Sequence, residues 1–167
     1  MKMDKKALML TIVLLALSMI LISPVKAITK DEYNMTLILE LDLVNPGIQW
    51  VSEEGILHIR AAHWVGTVEG DLGTGTYDGW VDVNVNLVTG EGTVSEKWLI
   101  TITSLDTIAG SNRGKITMPF MSGTSVGTNG TGEFEGAKMM GSWEGFHTDL
   151  THIVATSWGT IIYLLDK

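Results

Sequence analysis

From Tyr33 to Leu43 every odd position is apolar or aromatic, namely Tyr33, Met35, Leu37, Leu39, Leu41 and Leu43. The even positions carry Asn34, Thr36, Ile38, Glu40 and Asp42. A side-chain period of two belongs to an extended strand with one face buried and the other in water. The same pattern returns along the chain. Trp80 to Val88 sets Val81, Val83, Val85 and Leu87 against Asp82, Asn84 and Asn86, and in Val94 to Thr103 the residues Trp98, Ile100 and Ile102 share a face. Ile56 to Val65 places Leu57, Ile59, Ala61 and Val65 on one face. Arg113 to Phe120, Gly132 to Trp143 and Thr151 to Leu165 complete the set. Asn45-Pro46-Gly47 and Thr89-Gly90-Glu91-Gly92 read as turns between strands. A short helix near Ser104 to Ala109 is the one helical candidate.

About eight strands with frequent turn signals are the pattern of an antiparallel sandwich or barrel. With no helices to cover a sheet, closure is the way to remove exposed strand edges, and long strands suit a tilted, coiled sheet. The expected fold is therefore all-β, a single antiparallel β-barrel of about eight strands.

The first 27 residues stand apart from this pattern. Met-Lys-Met-Asp-Lys-Lys is a basic start, Ala7 to Ile22 is an uncharged apolar run, and Val25 and Ala27 occupy small-residue positions before a cleavage point. This is the layout of an export signal, cleaved after Ala27. An uncleaved anchor is the alternative, but the run is 16 residues long, against the ~20 that a spanning helix needs. The expected division is a signal peptide at 1–27 and a barrel domain at 28–167, in a secreted or extracytoplasmic protein with no stable membrane anchor after cleavage. The leader removes four Lys and one Asp from totals of 11 basic and 19 acidic residues, which leaves 7 against 18, a net charge of −11. Such a surface repels phosphate backbones and anionic lipid, which argues against nucleic acid as a partner. The chain has no Cys, so disulfides and thiolate metal sites are excluded.

One glycine-rich phrase occurs twice. GTVEGDLGTGTYDG, Gly66 to Gly79, and GTSVGTNGTGEFEG, Gly123 to Gly136, are identical at seven of fourteen positions and pair Tyr77 with Phe134. Glycine permits positive φ and close backbone approach, so the two copies are expected to build two equivalent corners of the barrel. Neither copy leads into a helix or carries a following Lys, so neither reads as a phosphate loop.

At the end of the second copy and just beyond it, Gly-Thr-Gly followed by an aromatic residue and further glycines (Thr131, Gly132, Phe134, Gly136 and Gly141) resembles a late strand motif of the allene oxide cyclase and dirigent superfamily. The resemblance implies an eight-stranded antiparallel barrel with an apolar cavity, often assembled as a trimer. Members steer or cyclise small hydrophobic substrates and need no cofactor. The matched glycines are architectural there and no catalytic residue falls on them, so none carries over. The chain has no counterpart of the dirigent pocket motifs.

Polar residues on otherwise apolar strand faces are the places where chemistry would sit. His63 shares the parity of Leu57, Ile59 and Val65, and Glu96 that of Val94, Trp98 and Ile100. As inward residues they would form an acid–base pair in an apolar cavity, because a buried carboxyl has a raised pKa and an imidazole can exchange a proton with it. At strand ends reached by water they would do nothing of the kind. His58 and His63, and His147 and His152, lie five apart and so on opposite faces, a spacing that specifies no metal site. Trp98 reads as core. Trp80 shares a face with Asp82, Asn84 and Asn86, where an indole serves as a carbohydrate-type contact or as a homo-oligomer contact. Trp80 and Trp98 are the ligand-binding candidates. No nucleophile elbow, zinc-binding His-Glu-x-x-His or Cys nucleophile is present. Three functions fit: a carrier of a small hydrophobic molecule, a cofactor-free isomerase or cyclase, and a structural or surface-interaction barrel filled by its own side chains.

Overall fold

The computed structural model describes residues 29–165, so the expected leader at 1–27 lies outside the described residues. The described chain is nearly all strand: β1 Thr29–Asn45, β2 Ile48–Val51, β3 Ile56–Gly70, β4 Gly73–Asn86, β5 Glu91–Thr101, β6 Thr107–Thr117, β7 Phe120–Thr131, β8 Lys138–His147 and β9 His152–Leu165. The sheet runs β1-β9-β8-β7-β6-β5-β4-β3-β2, and β1 also pairs with β3. That last pairing closes eight antiparallel strands into a barrel. The short β2 lies beside the first half of β3, next in line after β1, with Ile48 opposite Arg60 and Asn45 opposite His63. Asn45-Pro46-Gly47 is thus a kink along one edge and not a chain reversal. Asn45 Oδ1 accepts the Gly47 N–H at 2.9 Å, and Gly47 has φ +68.

The inner face follows the alternation. Leu37, Leu39 and Leu41 are buried, as are Val85, Val94, Trp98 and Ile100. One strand departs from it. Between Ile59 and Ala62 the β3–β4 register slips by one residue, and Ala61 sits at φ 54, held by its N–H donating to Asp82 Oδ1 at 2.9 Å. A β-bulge of this kind exchanges the two faces of everything that follows. Ala62, Trp64 and Val68 therefore point inward, and Ala61, His63 and Val65 lie on the outer wall, contrary to the expected parity.

Other boundaries also move. Ser104 to Ala109 is not helical: a loop pinned by Thr103 Oγ1 donating to Asp106 Oδ2 at 2.6 Å leads directly into β6. The expected strand from Gly132 begins only at Lys138, because Gly132–Phe134 forms a single 3-10 turn. The two glycine phrases do reach the same end of the barrel, but they turn differently. The first makes the tight β3–β4 hairpin, with Gly70 opposite Gly73, and the second ends β7 and enters the 3-10 turn.

That end is the floor. Leu37, Val68, Ile108, Met139 and Ile161 are almost wholly buried there, and Phe134 is 4% exposed. The opposite end is a ring of turns tied edge to edge. Leu87 N–H donates to Gly55 O, Met118 N–H to Gly90 O, His147 N–H to Pro119 O and Leu43 N–H to Thr151 O, all between 2.8 and 3.1 Å. This ring is rimmed with exposed apolar side chains, among them Ile48, Trp50, Val88, Phe120 and Leu150.

Candidate functional site

Inside the ring the barrel holds a cavity of about 440 Å³ that reaches from the floor residues Leu37 and Met139 to Pro46, Met118 and Leu150 at the mouth. Its walls are aliphatic and aromatic, with Trp64, Tyr77, Trp98 and Trp143 among them. Glycines make room for the indoles. A methyl group on Gly110 would collide with the Trp98 ring, and one on Gly114 would come within 2.8 Å of Trp143 Cζ2.

One polar network interrupts the apolar wall. Glu96 lies opposite Val81 on β4 and Asn112 on β6. Its carboxyl accepts Tyr77 O–H at 2.5 Å and Asn112 Nδ2–H at 2.7 Å. Asn112 Oδ1 accepts Trp98 Nε1–H at 2.9 Å. An indole N–H only donates, so Trp98 fixes the amide of Asn112 with its NH₂ toward Glu96. Burial raises the Glu96 carboxyl to about 7, against the two hydrogen bonds, which favour its ionised form. Burial likewise pushes the Tyr77 hydroxyl well up, reinforced by the charge of Glu96 and the hydrogen bond to it. Ser125 lies next in the same row, opposite Asn112 on β7, and is buried at the cavity wall.

His147 at the end of β8 lines the upper cavity and meets Trp64 edge-on at 5.9 Å between ring centroids. Its Nδ1 is buried with no partner of hydrogen-bond geometry. Burial holds its imidazole below the usual range, and Asp149 opposes that shift.

Of the four residues singled out from the sequence, Glu96 and Trp98 come together in this network. His63 and Trp80 come together elsewhere. They stack on the outer wall with ring centroids 4.9 Å apart and planes 4° from parallel, and His63 Nε2 meets Asp78 Oδ1 at 2.6 Å. The acid–base pair that His63 and Glu96 would form if both pointed inward is absent, because the bulge at Ala61 puts the barrel wall between them. Trp80 is 47% exposed and stands outside the cavity. Tyr77 and Asn112 are not among the residues expected to carry chemistry, and His147 is weighed only as a metal ligand. Tyr77 shares the parity of Val81, Val83 and Val85, and Asn112 that of Ile108 and Ile116, so a signal existed for both. Among the described residues no three His, Cys, Asp or Glu side chains converge as a metal site would require.

Comparison with family models, with curated proteins and with solved structures finds no match for the chain.

Proposed function

We propose that this barrel binds a small, mostly apolar molecule in its interior and acts outside the cytoplasm as a carrier or sequestering protein. The observation that carries the reading is the cavity. A space of about 440 Å³ with hydrophobic walls and a few convergent polar groups falls in the range of small-molecule sites. A barrel filled by its own side chains would close that space. The mouth leads from an exposed apolar rim onto a mostly apolar wall, with Gln49, His147 and Thr151 as the polar residues along the way. The extracytoplasmic setting rests on the leader at 1–27. The test is native mass spectrometry of the protein as recovered from its host. An adduct of a few hundred daltons released on denaturation supports the reading, and a bare mass that stays bare against a panel of apolar ligands sinks it.

Glu96 supports a second reading, that of a cofactor-free isomerase. A carboxyl that titrates near 7 inside an apolar cavity is matched to proton transfer at neutral pH. Recovery of the released adduct unchanged after incubation favours the carrier. Its conversion by the native chain but not by Glu96→Gln favours the enzyme.

A further inference from the structure

The chemistry of the cavity points to one kind of ligand. Among the described residues that line it, Glu96, Tyr77 and His147 are the titratable ones, and none is Lys or Arg. Tyr77 faces Glu96 from β4 and Asn112 faces it from β6; both place hydrogen-bond donors on its oxygens, and neither brings a positive charge. His147, from β8, is held toward its neutral form by burial. The Trp98–Asn112–Glu96 relay ends on an acceptor at the cavity wall, a carboxyl with more lone pairs than its two donors use. The two donors favour an ionised carboxyl while burial opposes it, and no cationic side chain among the lining residues stands ready to neutralise the charge. Four aromatic rings stand in the same walls, and their faces attract cations. Toward the mouth the wall continues through Val83, Val94, Ile116 and Met121, all apolar.

We propose that the ligand is a lipophilic amine, with its protonated nitrogen on the Glu96 carboxylate and its apolar body extended toward the mouth. This rests on the cavity-binding reading above and assigns it a chemical class. A carboxylic acid would set a second anion against an ionised Glu96, and a neutral molecule would gain no charge pairing from it. Binding of the cation stabilises the ionised form of Glu96, so a carboxyl that was protonated in the empty cavity releases its proton to solvent.

The experiment uses calorimetric titration of decylamine, decanol and decanoate, which share one tail. The protein is used as recovered from its host, in native form and as Glu96→Gln. At pH 8 the native protein is expected to bind decylamine about tenfold or more tighter than decanol, with decanoate weakest, as a charge-assisted hydrogen bond requires. The preference falls as pH drops from 8 to 5.5, because Glu96 becomes protonated while the amine stays charged. In Glu96→Gln the amine preference shrinks to about twofold or less and decanol affinity stays within roughly threefold, since only the charge is removed. Decanol binding also reports that the variant is folded; if it is lost, the pH series on the native protein decides alone. Decanol binding as tightly as decylamine at pH 8, or Glu96→Gln keeping the full amine preference, overturns the proposal and leaves the carrier reading standing. Failure of all three probes overturns both.

Discussion

Gly79 lies against the carboxyl of Glu96. A methyl group built on Gly79 would collide with Oε1 and would come within 2.7 Å of the Tyr77 ring. The last glycine of the first repeated phrase therefore serves the interior and not a turn. Its backbone needs no positive φ, so what matters there is space. Gly79→Ala is expected to destabilise the barrel by about 1–3 kcal/mol through overpacking, measured by urea unfolding. Its effect should shrink in a Glu96→Ala background by more than about 0.5 kcal/mol, the coupling expected of side chains in contact. Strictly additive effects would show that Gly79 does not hold the space for Glu96.

The carboxyl of Glu96 also sets a pH dependence. Its folded-state value of about 7 lies above the ordinary 4.5. The folded protein therefore holds the proton more tightly than the unfolded chain. Between these two values the native state keeps a proton that the unfolded state has lost, so stability falls as pH rises. The full difference is about 3 kcal/mol, at 1.36 kcal/mol per pKa unit. Urea unfolding of the native protein and of Glu96→Gln at pH 4.5 and at pH 7.5 isolates this contribution. The native protein should lose ground to the variant as pH increases. Parallel curves for the two would mean that Glu96 titrates as it does in water.

How far this site was legible follows from which residues keep parity. Val94, Glu96, Trp98 and Ile100 alternate without interruption, so the inward placement of Glu96 could be read from β5 alone. The closed barrel of eight long strands was legible in the same way, from Leu37, Leu39 and Leu41 and from Val81, Val83 and Val85. The strand carrying Asn112 was seen only in part. The inner face of β6 is Ile108, Gly110, Asn112, Gly114 and Ile116, and two of these are glycines that leave space for the Trp98 and Trp143 rings. A strand hollowed out for its neighbours' indoles has little apolar alternation of its own. The placement of His63 could not be read at all. It depends on a bulge centred on an alanine, a residue that carries no turn signal.

That bulge yields its own prediction. Ala61 has φ 54, a conformation that disfavours any residue with a Cβ and β-branched residues most. Ala61→Gly relieves the strain but gains freedom in the unfolded chain, so its stability should lie at or slightly above the native value, within about 1 kcal/mol. Ala61→Val should lower stability by about 1–3 kcal/mol. Thermal unfolding of the two variants checks the order. A valine variant as stable as the glycine one would mean that residue 61 does not hold the left-handed conformation, and the outward turn of His63 would lose its explanation.

The junction between β9 and β1 carries an external pair. His152 Nδ1 on β9 and Asp42 Oδ1 on β1 lie 2.8 Å apart. The hydrogen bond to Asp42 raises the imidazole above its ordinary 6.5, helped by the charges of Asp42, Asp149 and Glu40 and opposed by slight burial. A raised histidine stabilises the fold while it is protonated in both states. The contribution is therefore fully present below 6.5 and is lost as pH rises through the folded value. Asp42 is exposed and His152 partly so, so the expected readout is a titration midpoint and not a large change in stability. In a pH series of proton NMR spectra the His152 ring should titrate above 6.5, and Asp42→Asn should bring its midpoint down. An unchanged midpoint in Asp42→Asn would mean that the pair does not persist in solution and that the β1–β9 seam is held by its backbone ladder alone.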